Sequence, residues 1–168
     1  MPEVDPERTE LEARLARQQD ALGPDHPEVA LLHRQLGRLC HDLRDFGAAL
    51  THLEQARDIH ALVLGDESPE LATDCNHLAL VLHDMGDLEA AQALLEQALA
   101  IDEKGLGREH PHVARDANNL AGVLRDQGEP LAAAEALRWA LAIYRAHLGP
   151  DHTTTQSVVR NLRLLGVD

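Results

Sequence analysis

The sequence predicts an all-α fold of stacked antiparallel helix pairs, and three observations predict it. Leu-Gly dipeptides begin at Leu22, Leu64, Leu106 and Leu148, a constant step of 42 residues. After two intervening residues stand His26-Pro27, Ser68-Pro69, His110-Pro111 and His152-Thr153. A fixed period within ~20–50 residues marks a stacked-repeat architecture. The second observation is that each block, aligned on this period, holds two helix-length segments separated by a turn signal. The third is compositional: hydrophobic residues are 44% of the chain but aromatics only 2%. The core is therefore built from Leu, Ala, Val and Ile, and alanine lets two helix backbones approach closely.

The elements follow in order. Residues 6–21 align with the second helix of a block, so a half repeat over 6–22 opens the array. The first full repeat, 27–64, carries helices over 27–43 and 47–63. Its turn near Arg44-Asp45 lacks the glycine found in the other blocks, and Gly47 is expected to help form it. The second repeat, 69–106, carries Pro69–Met85, a turn at Gly86-Asp87, and a helix over 88–104. The third, 111–148, carries helices over 111–127 and 130–147 around Gly128-Glu129. Residues 153–165 align with a first helix and end the array. The whole chain, 1–168, reads as one domain of about eight helices and almost no strand.

Local chemistry supports these limits. Pro27, Pro69 and Pro111 occupy first-turn positions, where proline forfeits no hydrogen bond. Ser68 and Asp25 are expected caps beside them, and the linker histidines His26, His110 and His152 are expected to hydrogen-bond and cap. Gly86 and Gly128 can take the left-handed conformation that closes a helix. Leu11, Leu53, Leu95 and Leu137 form one aligned column; Leu36, Leu78, Leu120 and Leu162 form another.

Charge and motif content exclude several functions. The net charge is −14 with neutral histidines, which opposes binding to nucleic acid or anionic membrane. No apolar run reaches the ~18 residues of a membrane span. Residues 1–10 are acidic and lack the apolar stretch of a secretory signal, so a cytoplasmic location is expected. No glycine-rich phosphate loop or nucleophile–base spacing occurs, so no enzymatic activity and no cofactor are expected. The linker histidines lie a block or more apart, and no metal site is expected. Cys40 and Cys75 are read as buried free thiols. Trp139 breaks a column otherwise occupied by Ala13, Gln55 and Gln97. It is either an exposed contact anchor or covered by the terminal helix or the linker. Tyr144 is read as structural.

The columns Leu78-Ala79, Leu82, Gly86, Ala91, Leu95, Ala98 and Leu120-Ala121, Leu124, Gly128, Ala133, Leu137, Ala140 resemble the tetratricopeptide repeat. The 42-residue period, the Leu-Gly-x-x-His-Pro linker and Asn118-Asn119-Leu120-Ala121 look like its kinesin light chain type. The resemblance covers roughly residues 6–165. It implies a right-handed α-solenoid in which the first helix of each pair lines a concave wall.

The wall positions so implied include Arg34, Arg38 and His41 in block one and Asn76, His77 and His83 in block two. Block three contributes Arg115, Asn118, Asn119 and Arg125, and the last helix Arg160 and Asn161. Acidic residues such as Glu54, Asp58, Glu89, Glu96, Asp102 and Glu103 are assigned to the outer helices. In related grooves asparagines at such positions hold peptide backbone or a terminal carboxylate, and arginine offers carboxylates a planar fork. The expected function is a non-enzymatic scaffold. Its groove would hold an extended protein or peptide segment that is acidic or carries a free carboxylate. Histidines in the groove would strengthen that preference below pH ~6.5. The alternatives are head-to-tail self-association through residues 6–21 and 153–165, or a segment of a larger bacterial signalling protein.

Overall fold

The structure, a computed structural model, describes residues 5–166. Among the described residues there are eight helices and no strand. They are α1 (Pro6–Leu22), α2 (Pro27–Asp42), α3 (Phe46–Leu64), α4 (Pro69–Met85), α5 (Leu88–Leu106), α6 (Pro111–Asp126), α7 (Pro130–Leu148) and α8 (Thr153–Leu165). Every expected helix is present, with ends within two residues of the sequence reading.

The recurring linker has a common physical construction. Gly23, Gly65, Gly107 and Gly149 follow α1, α3, α5 and α7 with φ of 90, 88, 89 and 85°. Their ψ values of 158, 168, 153 and 165° complete a conformation almost closed to residues with a Cβ. Each glycine N–H donates to the carbonyl four residues back, which ends the helix. The next helix is then started by a side chain. His26, His110 and His152 accept through Nδ1 from the N–H groups of Glu28, His112 and Thr154, each at 3.2 Å. Ser68 takes this place in its linker, its Oγ accepting from Leu71 N–H at 3.2 Å. The expected histidine caps are therefore present. Asp25 is not the cap. It stands one residue earlier, exposed, because the imidazole of His26 already reaches the orphan N–H.

The turns α2–α3 and α6–α7, and that between α4 and α5, are of a second type. Asp45, Asp87 and Glu129 N–H groups donate to the Cys40, Leu82 and Leu124 carbonyls at 2.8, 2.9 and 2.9 Å. This closure needs a left-handed residue just before. Gly86 and Gly128 supply it with φ of 88 and 84°. In the first repeat Arg44 itself adopts φ 64°, and Gly47 lies within α3. The expectation that Gly47 makes this turn is corrected: the hydrogen-bond pattern fixes the site of left-handedness one residue before Asp45. An L residue there costs about 1–2 kcal/mol. The Arg44 guanidinium sits 4.8 Å from the Phe46 ring centroid, a cation–π contact that offsets part of this.

The chain divides into two compact units, residues 1–81 and 82–168. In the first, Leu15 of α1, Val29, Ala30, Leu32 and Leu36 of α2 and Ile59 of α3 form a buried cluster, edged by Leu11. Gly37 explains its departure from the alanine of its column. A Cβ there would lie 2.5 Å from Leu53 Cγ, so glycine lets α3 seat against α2. Cys40 and Cys75 are buried free thiols. In the second unit α6 packs on α5 and α7, and α7 on α8. Leu95, Ala98, Val113, Ala117, Val123, Leu137, Ala140 and Val158 are buried there, as is Tyr144.

Gly105 and Gly107 provide a matched test of the linker. Neither has an atom within 4 Å of a built Cβ, but only Gly107 has positive φ. Gly107→Ala is expected to lose about 1–3 kcal/mol in urea unfolding. Gly105→Ala, inside α5, is expected to gain about 0.5–1 kcal/mol.

Candidate functional site

The sequence-selected residues fall into two physical groups. In the first unit, Arg34 on α2 is only 15% exposed and its Nε donates to Asp74 of α4, which is wholly buried. Its Nη2 donates to the Glu70 carbonyl at 3.0 Å and lies 3.3 Å from His60 Nδ1. His60 Nδ1 in turn lies 2.6 Å from Asp74 Oδ2. This guanidinium compensates a buried carboxylate that would otherwise be very costly to desolvate. Asn76 is buried, at 2% exposure, and His77 is half-buried. Arg38 is exposed and borders a shallow depression with Glu7, Leu11, Gln35, Leu39 and Asp42.

In the second unit, Arg115 on α6 is committed in a similar way. Its Nη2 lies 2.9 Å from Asp116 Oδ1 and 3.4 Å from Asp102 Oδ2, and both carboxyl side chains are wholly buried. Asp102 is thus not an outer-face residue as expected. It faces α6, and burial raises its carboxyl above the ordinary range.

Asn118, Arg125 and Asn161 do come together. With Ala121, Gly122, Leu137 and Leu165 they line one small depression contributed mainly by α6 and α8. Arg125 Nε donates to Asp126 Oδ1 at 2.8 Å, and its side chain remains 48% exposed. His83 Nε2 lies 2.7 Å from the other Asp126 oxygen. The Arg125 hydrogen bond holds the Asp126 carboxyl below its ordinary range. Asn118 Nδ2 donates to Asn119 Oδ1 at 3.4 Å, while Asn118 Oδ1 meets no donor among the described residues. Gly122 keeps the floor open, since the closest atom to a Cβ there would be His83 Cε1 at 3.8 Å. Arg160 is exposed on α8.

Trp139 is half-buried and packs beside its linker. Its Nε1 donates to the Arg108 carbonyl at 3.3 Å, and the Arg108 guanidinium lies 5.0 Å from the ring centroid. Among the described residues no three His, Cys, Asp or Glu side chains converge as a metal site. No described helix is long and apolar enough to cross a membrane.

The buried acids went unrecognised in the sequence, yet a signal existed. Asp74 and Asp116 are one period apart, as are His60 and Asp102. The other members of the aspartate column are Leu32 and Val158. A charged residue in an otherwise apolar column marks a buried ion cluster.

This architecture has solved counterparts. The kinesin light chain-like protein of Podosopora anserina, with nearly identical TPR-like repeats, has a TM-score of 0.79 at 28% identity, over 94% of this chain and 74% of that one. BtubC (BKLC) from P. vanneervenii has a TM-score of 0.82 at 24% identity, over 92% of this chain and 62% of that one. The N-terminal domain of stress-induced protein-1 from C. elegans has a TM-score of 0.62 at 15% identity, over 84% and 97%. The latter two carry the fold alone. No curated protein matches the chain. A tetratricopeptide repeat profile matches residues 8–61 and 69–146, well over half the sequence. The fold is all-α and of the kinesin light chain-like type, and the chain belongs to the tetratricopeptide repeat family.

Proposed function

We propose that this protein is a binding scaffold whose α6–α8 face holds an extended acidic segment of a protein partner. Tetratricopeptide repeats are scaffolds typical of protein–protein interaction. The observation that carries the finer reading is the convergence of Asn118, Arg125 and Asn161 on one depression. Asparagine offers both donor and acceptor to a peptide backbone, and Arg125 offers donors to a carboxylate. Arg160 adds positive charge on the same helix as Asn161. Asp126 beside the depression is already paired with Arg125 and His83. The mechanism is non-covalent: shape, amide hydrogen bonds and charge. Asn119 of α6 belongs to the same proposal; Arg38 and His77 are proposed contacts within the first unit, where Asn76 is buried, and a cytoplasmic setting fits the reading.

The arginines divide by what they already hold. Arg34 and Arg115 neutralise buried carboxylates, so their first role is structural. Arg125 and Arg160 are exposed and available to a guest chain.

The test is fluorescence anisotropy with a labelled acidic peptide and its amide-neutralised counterpart. The acidic peptide is expected to bind more tightly, and to weaken with salt as screening shortens to ~8 Å near physiological strength. Arg125→Ala should weaken binding about tenfold, the loss of roughly one charge-assisted hydrogen bond, with stability unchanged within about 0.5 kcal/mol. Arg34→Ala should behave oppositely, losing about 3 kcal/mol of stability because Asp74 is left buried without its guanidinium. Equal affinity for both peptides at low salt overturns the acidic preference.

A further inference from the structure

The seam between α5 and α6 contains two carboxyls where the equivalent seam one period earlier contains one. His60 and Asp74 stand 2.6 Å apart in the first unit. Their counterparts, 42 residues on, are Asp102 and Asp116. Replacing an imidazole by a carboxyl leaves two wholly buried acids that meet at one guanidinium, Arg115 Nη2 lying 3.4 Å from Asp102 Oδ2 and 2.9 Å from Asp116 Oδ1. Two like charges at such range in a dry site cannot both ionise cheaply. The nearby cation is Arg115, whose guanidinium reaches both. His112 Nδ1 lies 3.6 Å from Asp102, but burial and then Arg115 push its pKa down, away from the cationic form. Other groups around the pair are His110 of the linker, whose Nδ1 is engaged in capping, and the Tyr144 phenol of α7. Glu103 is paired with Arg108 at 2.8 Å.

We propose that this seam is a proton-operated latch, closed when Asp102 and Asp116 share one proton and loosened when that proton leaves. With the proton in place one carboxylate faces one guanidinium, and the start of α6 is held to α5. Without it, two carboxylates compete for Arg115, and the first turns of α6 and the 107–110 linker lose their anchor. The same linker is gripped from α7 by Trp139 Nε1 on the Arg108 carbonyl and by His147 Nε2, 2.8 Å from the Glu109 carbonyl. Behind that grip lies a cleft of about 380 Å³ floored by Trp139, Ala142, Ile143 and Ala146. Loosening of the linker is therefore reported by the single tryptophan.

The direction follows from linkage. Burial raises Asp116 from the ordinary 3.8 to about 7, with Asp102 adding to the rise and Arg115 opposing it. A carboxyl raised in the folded state binds its proton more tightly there than when unfolded. Its stabilisation is complete below the unfolded value and is lost as pH rises through about 7. His33, in the first unit, is lowered by burial to about 4 and acts in the opposite sense below pH 6.5. The window from pH ~6.5 to ~8.5 avoids that opposition.

Native-state amide exchange at residues 114–120, corrected for intrinsic rate, is the test. Protection is expected to fall about fourfold across this window, the part of the linked loss that remains above pH ~6.5 for a carboxyl raised to about 7, with a parallel change in Trp139 emission. Infrared difference spectra should show a protonated-carboxyl C=O band that fades over the same range. Asp116→Asn should remove the band and flatten both profiles. Asp102→His, which restores the residue type at position 60, should flatten them as well. It supplies the second arm where the first variant does not fold. A native protein with no protonated-carboxyl band, or with protection flat across the window, overturns the proposal. So does a pH profile that survives in both variants.

Discussion

The glycine that ends each second helix is the constraint on which the rest of the structure depends. At φ near 90° and ψ near 160° its backbone turns in a way nearly barred to other residues. Helix length is thereby set by sequence position and not by the fraying balance of the last turn. An imidazole or hydroxyl three residues further on starts the next helix. Linkers of equal length and similar conformation start each helix at the same point of the 42-residue period as its counterpart. Equivalent positions consequently meet equivalent surroundings, and a change at one of them can be read against its homologues within the same chain.

That internal comparison clarifies the arginines. A guanidinium on a leading helix can turn outward to a guest or inward to a buried acid. The inward option wins wherever a carboxylate is buried within reach, because leaving such a charge unpaired is far costlier than forgoing a surface contact. Arg34 has Asp74, and Arg115 has Asp102 and Asp116. Arg125 pairs with the exposed Asp126, a pairing worth little in water. The same residue type on first helices of the pairs is thus held inward in two cases and left exposed in the third, and what decides is the depth of the acid.

Element positions were legible in the sequence because they are specified by local chemistry. Pro69–Met85 is bounded by a serine–proline start and a left-handed glycine, and its ends were read without error. Arg44 was misread because the turn is defined by the Asp45 to Cys40 hydrogen bond, which outweighs residue preference at that one position. Helical phase assigned Arg34 and Arg115 to a guest-facing wall, whereas their guanidiniums reach buried carboxylates. A guanidinium on a flexible stem can fold back several ångströms from its Cβ direction. Asp102 was placed outside for a related reason. Its helix was classed as outer as a whole, although one stripe of it packs on α6. What phase did capture was the grouping of Asn118, Arg125 and Asn161, whose side chains are short or exposed and stay near where the backbone aims them.

The polar seams are not demanded by packing. At the positions equivalent to Asp102 and Asp116, one period further on, stand Tyr144 and Val158, both buried and neither charged at neutral pH. One period before His60 and Asp74 stand Gln18 and buried Leu32. The architecture therefore accommodates an apolar residue where an aspartate sits elsewhere. Buried ion clusters are commonly no more stabilising than apolar residues of similar volume, so stability alone gives no reason for them. An apolar seam is closed under all solution conditions. A seam of two acids and one guanidinium is closed only while its charge is balanced, and in the second unit that balance hangs on a proton. Conditional closure is the one property the carboxyl pair confers that the tyrosine–valine pair, in the same slot, does not.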